Sequence, residues 1–396
     1  MLLRAGAATT TMDSVDVITS AMVLAAGRGT RLHPLTAGRA KAVIPFLNRP
    51  LLDYTLDWLR RCGLEEVVIN LHHCPDSVRR RYGGHAFGVR LRYSVEEKLL
   101  GTAGGVRAAL DALGQRVLLV NGDVVTSMAL GPLVDHHRRN RALATLALHS
   151  GGAALEHPAV LMGEGGEVAG FPEPPQAPPE HRVGGSVASG MPEEAGRKSA
   201  AHAAAHACFA GIHLVEREVF ELVPPLRPCG IVDPVYRQLI AAGLPVHAVE
   251  LAGPWYEVGT LPRYLQSQLC ALRREDFPLA YEGYQRQTIG GFVTTTASIG
   301  RAGVEPPFMI ADGARVADGA QLKGVIAGRN SCIGAGATVV DSVLLDGAWV
   351  GTAATLEGVV VLENAYVPPG TEVRDQAWSG SGPLRNGASV VPAASG

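Results

Sequence analysis

The sequence predicts an α/β domain with a mainly parallel sheet, followed by a parallel β-helix. Two patterns lead there. Up to about residue 275, short apolar runs alternate with amphipathic stretches, as strands joined through crossover helices require. Beyond about residue 290, aliphatic residues recur every five or six positions with Gly, Ala, Asp and Asn between them, the signature of stacked coils. A chain of 396 residues is long enough for two such units, each with its own core.

Residues 1–20 read as a flexible leader, with Met12 or Met22 as alternative starts, and they carry no apolar signal core. Strand-like runs come next at 21–26, 66–71, 89–94 and 116–123, and helix-like segments at 50–62, 101–113 and 130–140. Such alternation buries a parallel sheet on both faces and places ligands beyond the carboxyl ends of its strands. Residues 172–206, rich in Pro, Gly, Ala and charge without a period, are expected to form a flexible insertion. The α/β pattern resumes with 208–215, a helix-like segment near 232–242, and 254–275, which closes the domain. Residues 276–290 read as a linker and 291–375 as the β-helix. Ile299, Val304, Ile310, Val316 and Leu322 open its repeat, and Ile333/Val339, Val350/Leu356 and Val367/Val373 continue it, with a register slip between 322 and 333. Residues 376–396 form a tail.

The net charge of −2 gives no general basic field, so nucleic acid is not an expected partner and any anion must be held locally. No apolar run approaches the roughly 18 residues that span a bilayer, and no membrane partner is expected. The six cysteines have no CxxC pair or metal-ligand spacing; they read as buried thiols in a reducing compartment, hence a cytoplasmic location.

The chemistry concentrates in "MVLAAGRGTRLHPLTAGRAKAVIPF", residues 22–46. A glycine turn after a strand lets backbone N–H groups face an anion, and a subsequent helix start would add its positive dipole end. Arg28 and Arg31 can supply charged hydrogen bonds to phosphate oxygens, and Lys41 a compact positive charge. A plain strand-to-helix turn is the alternative. Lys41, Lys98, Lys198 and Lys323 are the only lysines among 35 basic residues, so a lysine at 41 stands out against an arginine background. Asp123 ends the run "LLVNGD" on the same rim, where a carboxylate suits magnesium; an Asp stabilising a tight turn is the competing explanation. Glu257 in "WYEVGT" offers a second carboxylate. His72 and His73 adjoin a strand and are expected to point to opposite faces, one partly buried and one solvated.

"LAAGRGTRLHPLTAGRAK", "LLGTAGGVRAAL", "VNGD", "CFAGIHLV" and "WYEVGT", with the repeats after them, resemble the sugar-1-phosphate nucleotidyltransferases, or nucleotide-sugar pyrophosphorylases. The resemblance covers about residues 21–375. It implies a Rossmann-like catalytic domain with a left-handed β-helix, and a magnesium-dependent reaction of an NTP with a sugar 1-phosphate to give NDP-sugar and pyrophosphate. It further implies that Gly27, Gly29, Thr30 and Arg31 hold the triphosphate and that Lys41 sits on the phosphates near the reacting centre. By the same resemblance Ala26, Gly27, Gly101 and Thr102 lie near the base, Gly211 near the sugar, and Asp123 and Glu257 on magnesium.

Three departures from the family pattern stand out. Ala42 replaces the usual proline after the signature lysine, Glu257 replaces a shorter Asp or Asn, and "AGFPEPPQAP" lacks the second lysine that many members carry. They keep open a second reading, a regulatory subunit that binds nucleotide-sugar without turnover. The repeat region contains no histidine, which excludes an acetyl-transfer base there and leaves packing, effector binding or homo-oligomerisation as its role. "LGTAGG" resembles the mannose-1-phosphate guanylyltransferases, which makes GTP with mannose 1-phosphate the preferred pair, and "LAAG", more like the uridylyltransferases, makes UTP with a hexose or amino-sugar 1-phosphate the runner-up.

Overall fold

The computed structural model describes residues 18, 20–151, 157–172 and 207–380. The expected leader and insertion, and the tail beyond residue 380, lie almost wholly outside these residues.

Strand β1 (Ser20–Leu24) forms where small and apolar residues succeed one another without a helical period, and it pairs in parallel with β2 (Glu66–Leu71). The hairpin strands β3 (His85–Ala86) and β4 (Val89–Val95) lie outside β2, with β2 and β4 parallel. On the other side of β1 stands the parallel strand β5 (Arg116–Asn121). Beyond it lie β6 (Ala144–His149), β7 (Cys208–Glu216) and β8 (Val246–Glu250), giving the order β8-β6-β7-β5-β1-β2-β4-β3. Strand β7 runs antiparallel to both β5 and β6, so the sheet is mixed, with a parallel centre.

Alternation along the strands divides the core between two faces. Ala21 and Val23 of β1 join Ile69, Val120 and Ile212 under helix α1 (Leu51–Arg61), whereas Met22, Val68 and Leu119 pack on α3 (Gly101–Ala108) and α6 (Val235–Ala241). Helix α1 is apolar on more than one side. Leu52, Leu56 and Leu59 face the sheet while Leu51 and Tyr54 enter a third cluster, and the Trp58 indole donates to the Met128 carbonyl at 2.8 Å. The remaining helices are α2 (Pro75–Tyr82), α4 (Gly131–Arg139), α5 (Glu218–Glu221) and α7 (Leu261–Arg274). A small antiparallel ribbon joins Val124–Thr126 to Trp255–Glu257.

The repeat region is a left-handed β-helix of parallel strands. Ile299, Val316, Ile333, Val350 and Val367 stack at steps of 17 residues. Ile310, Ala327 and Leu344 stack on another side at the same step. Each coil therefore takes two six-residue sides and one five-residue side. The slip expected between 322 and 333 is no irregularity: Ala327, fully buried, occupies that side with a residue too small to mark the pattern.

The segment expected to be a linker is ordered. A 3-10 turn at Pro278–Tyr281 leads into Tyr284–Thr288, which pairs antiparallel with Gly291–Thr294 and covers the open edge of the first coil. The last coil extends to Ala377–Trp378, just past the expected boundary. All six cysteines are free thiols, but only Cys208 is buried; the other five are half-buried. Both His72 and His73 are half-buried, and they hydrogen-bond the carbonyls of Glu96 and Thr36, so neither is the solvated member of a pair.

Candidate active site

The carboxyl ends of β1, β2 and β5 open onto a cleft of ≈ 360 Å³. Ala26, Gly27, Gly29, Thr30, Arg31 and Lys41 line one side, and Gly101, Thr102 and Asp123 complete the wall. Of the residues expected to touch nucleotide, Arg28 does not line this cavity; all the others reach it, together with Lys41 and Asp123.

The turn after β1 is held open by geometry that only glycine adopts easily. Gly29 has φ 62°, and its carbonyl accepts from the Thr36 hydroxyl at 2.9 Å. The chain then makes a single 3-10 turn, Thr30–Leu32, and not the expected α-helix. Without aligned peptide dipoles over several turns, the anion-binding capacity rests on the turn's N–H groups and on side chains. Arg28 and Arg31 are exposed, and neither side chain has a hydrogen-bond or ion-pair partner among the described residues.

Lys41 opens a second 3-10 turn, Lys41–Val43, and its Nζ donates to Asp123 Oδ2 at 2.6 Å. The two side chains are 13% and 23% exposed, so the pair is partly screened yet not freely solvated. Lys41 therefore neutralises the carboxylate expected to hold a cation. Ala42 behind it is buried in the sheet core, where it fixes the turn by packing.

Glu257 sits differently. Its Oε2 accepts from Arg263 Nη1 at 2.8 Å and lies 3.7 Å from His157 Nε2. A Cβ built on Gly259, which lines the cleft, would stand 2.3 Å from Glu257 Oε1. Glu257 is thus behind the cleft wall and ion-paired. The ribbon brings it near Asp123, because Val258 N–H donates to the Asp123 carbonyl at 2.9 Å. Gly211 also stands one layer back, against Asn121, whose Nδ2 would lie 2.6 Å from an added Cβ. Among the described residues no three His, Cys, Asp or Glu side chains cluster as a metal cage. A single carboxylate facing a phosphate cradle nevertheless fits magnesium, which takes one or two carboxylates and fills its shell with phosphate oxygens and water.

Sequence reasoning missed a buried network beneath the floor. Asn70 Oδ1 accepts from Ala25 N–H at 2.7 Å, Asn70 Nδ2 donates to Glu96 Oε1 at 2.7 Å, and Glu96 Oε2 accepts from Leu100 N–H at 2.9 Å. It locks the end of β1 to the start of α3 and so fixes Gly101. The signal lay in "VEEKLLG", a glutamate four residues before Leu100, but its partner Asn70 is distant in sequence. Gly101 itself has φ 69°, and a Cβ there would meet the Cys229 carbonyl at 2.8 Å.

A larger cavity of ≈ 850 Å³ lies at the opposite end of the strands, by the amino ends of β5 and β6, lined in part by Arg116, His137, Arg138 and Glu216. Glu216 there is taken by Arg116 at 2.7 Å and His137 at 2.9 Å, and these contacts outweigh burial and hold its carboxyl below the usual range. None of the phosphate-turn residues reaches it.

The nucleotidyl transferase family matches residues 20–273, and the GlmU-like C-terminal hexapeptide family matches 292–377. The chain belongs to the nucleotidyl transferase family. It is 26% identical over 338 residues to a UTP–glucose-1-phosphate uridylyltransferase from Synechocystis sp., covering 81% of each chain. It is 28% identical over 328 residues to a mannose-1-phosphate guanylyltransferase from Mycobacterium tuberculosis, covering 82% of this chain and 79% of that one. A solved structure assigned as a glucose-1-phosphate thymidylyltransferase from Bacillus anthracis shares the fold at TM-score 0.51 and 20% identity, covering 64% of this chain and 94% of that one. No helix among the described residues is long and apolar enough to cross a membrane.

Proposed function

We propose that the cleft transfers a nucleotidyl group from an NTP to a sugar 1-phosphate, with GTP and mannose 1-phosphate as the preferred pair. The observation that carries this reading is the convergence of the glycine turn, Arg31, Lys41 and Asp123 on one cavity. A phosphate oxygen of the sugar 1-phosphate forms the new bond to the α-phosphorus. The bond from that phosphorus to the bridging oxygen breaks, and pyrophosphate leaves. Such a reaction asks the protein for alignment and charge compensation and for no covalent step.

The backbone at Gly27, Gly29 and Thr30, with Arg31, holds the triphosphate, and Lys41 turns from Asp123 toward the reacting phosphoryl group. Ala26, Gly27, Gly101 and Thr102 face the base, and Gly211 borders the sugar. Asp123 would hold a magnesium ion, with Glu257 contributing through Oε1 because Arg263 occupies Oε2. Magnesium, when bound, offsets phosphate charge and orients the leaving group. The six free thiols support a cytoplasmic location.

Several mannose-1-phosphate guanylyltransferases among the relatives support the GTP and mannose choice. The Synechocystis relative favours UTP with a hexose 1-phosphate as the second reading. Pyrophosphate release measured with four NTPs crossed against a panel of hexose and amino-sugar 1-phosphates tests both, and one pair should dominate by at least about tenfold in kcat/KM. Nucleotide binding without pyrophosphate release from any pair would replace the transfer reading with the regulatory one.

A further inference from the structure

The segment between Leu32 and Lys41 contains turns and no strand or α-helix, so its side-chain ties decide where Lys41 stands. Three of them are local to the catalytic domain. Thr36 is tied to Gly29 and to His73, Ala40 N–H donates to Ser77 Oγ at 3.0 Å, and Lys41 reaches Asp123. The fourth crosses to the β-helix. Arg39 Nε donates to the Leu35 carbonyl at 3.0 Å, closing the loop on itself, while Arg39 Nη2 pairs with Glu363 Oε2, 324 residues away.

We infer that Arg39 and Glu363 are positioning residues that set the place of Lys41, making the β-helix part of the active-site scaffold. The inference rests on the transfer reading only for its kinetic readout. Glu363 is carried by a rigid turn: Asn364 N–H donates to the Asp346 carbonyl of the coil below, and Ala365 N–H to the Leu362 carbonyl. Beneath the pair, Leu32, Leu35 and Ile44 of the loop are fully buried in one cluster with Val343, Leu345 and Val360 of the β-helix. Apolar contact brings the surfaces together without direction; the guanidinium fork, with a backbone acceptor on one arm and a carboxylate on the other, supplies the direction. At 26% and 27% exposure the pair is half-shielded, so its contribution to global stability is small, while its influence on a loop two residues from Lys41 is geometric.

The test compares wild type with Glu363→Gln, Arg39→Gln and the double swap Arg39→Glu/Glu363→Arg. Three quantities are read: kcat and KM, the melting temperature, and the acetylation rate of Lys41 relative to Lys98 and Lys323 by peptide mass spectrometry. Each single variant should lower kcat about tenfold with KM changed much less, since a displaced catalytic group weakens the transition state more than binding. Lys41 should label several-fold faster while Lys98 and Lys323 keep their rates, and the swap should recover most of both losses at an unchanged melting temperature. Unaltered kcat and Lys41 labelling in the single variants would overturn the inference. So would faster labelling of all three lysines with a lowered melting temperature, which would reduce the pair to general stability. If wild type turns over no substrate pair, the transfer reading fails alone, and the labelling pattern still decides the role of the pair.

Discussion

Lys41→Met removes one charge and keeps the length and apolar stem of the side chain, and its two consequences run in opposite directions. In the cleft the ammonium pairs with the carboxylate that a cation would use, at 2.6 Å. A hydrogen bond between charged groups contributes roughly 1.5–3 kcal/mol net, and at 13% and 23% exposure the lower end applies. A divalent ion arriving at Asp123 must displace that interaction. Removing it should tighten nucleotide-free Mn²⁺ binding about tenfold, the equivalent of about 1.4 kcal/mol. Turnover should fall about 10²–10³-fold, the usual loss when one preorganised charge is taken from a reacting centre. Mn²⁺ affinity by electron paramagnetic resonance and pyrophosphate release on the same preparation read both effects, and Asp123→Asn, which should lose metal binding and turnover together, serves as the control. Unchanged or weaker Mn²⁺ binding in Lys41→Met would remove Asp123 from the metal site. Near-normal turnover would remove Lys41 from the reacting phosphate.

Three further outcomes are expected. Gly101→Ala combines a positive φ with a Cβ 2.8 Å from the Cys229 carbonyl, and should cost about 1–3 kcal/mol in denaturant unfolding and weaken nucleotide binding; equal stability would mean that residues 227–229 yield freely. Glu257→Gln loses the Arg263 ion pair and a proposed metal oxygen, so the Mg²⁺ concentration for half-maximal turnover should rise several-fold, and an unchanged requirement would leave Asp123 as the sole carboxylate ligand. His213 is 1% exposed, and burial holds its imidazolium down to about 3. The unfolded chain takes up that proton below about pH 6.5 whereas the folded one does not, so stability is complete above about pH 6.5 and lost as pH falls, at up to about 1.4 kcal/mol per pH unit. His213→Gln should flatten the wild-type stability curve between about pH 6 and 4, as tracked by urea midpoints, and a curve as steep as wild type would assign the acid sensitivity to other groups.

The cleft's nucleotide side was legible because its determinants are contiguous. Residues 26–31 form one turn, and a glycine with positive φ at the end of an apolar strand is specified by short-range sterics. The β-helix was legible for a similar reason: its spacing repeats along the chain, although the small Ala327 concealed the three-sided coil of 17 residues until the strands were seen stacked. The coarse order of strands and helices came from periodicity in the same way, while β6, β8 and α2 are not among the runs that periodicity marked. Tertiary structure alone decided which charges meet. Lys41 and Asp123 are 82 residues apart, Arg39 and Glu363 are 324 apart, and Glu257 Oε2 is held by Arg263 on a helix that packs against the β-helix. Sequence determines which groups are available at each turn. Packing of separate elements sets the few ångströms that decide whether a carboxylate faces a cation site or a guanidinium, because hydrogen bonds and ion pairs act only at contact.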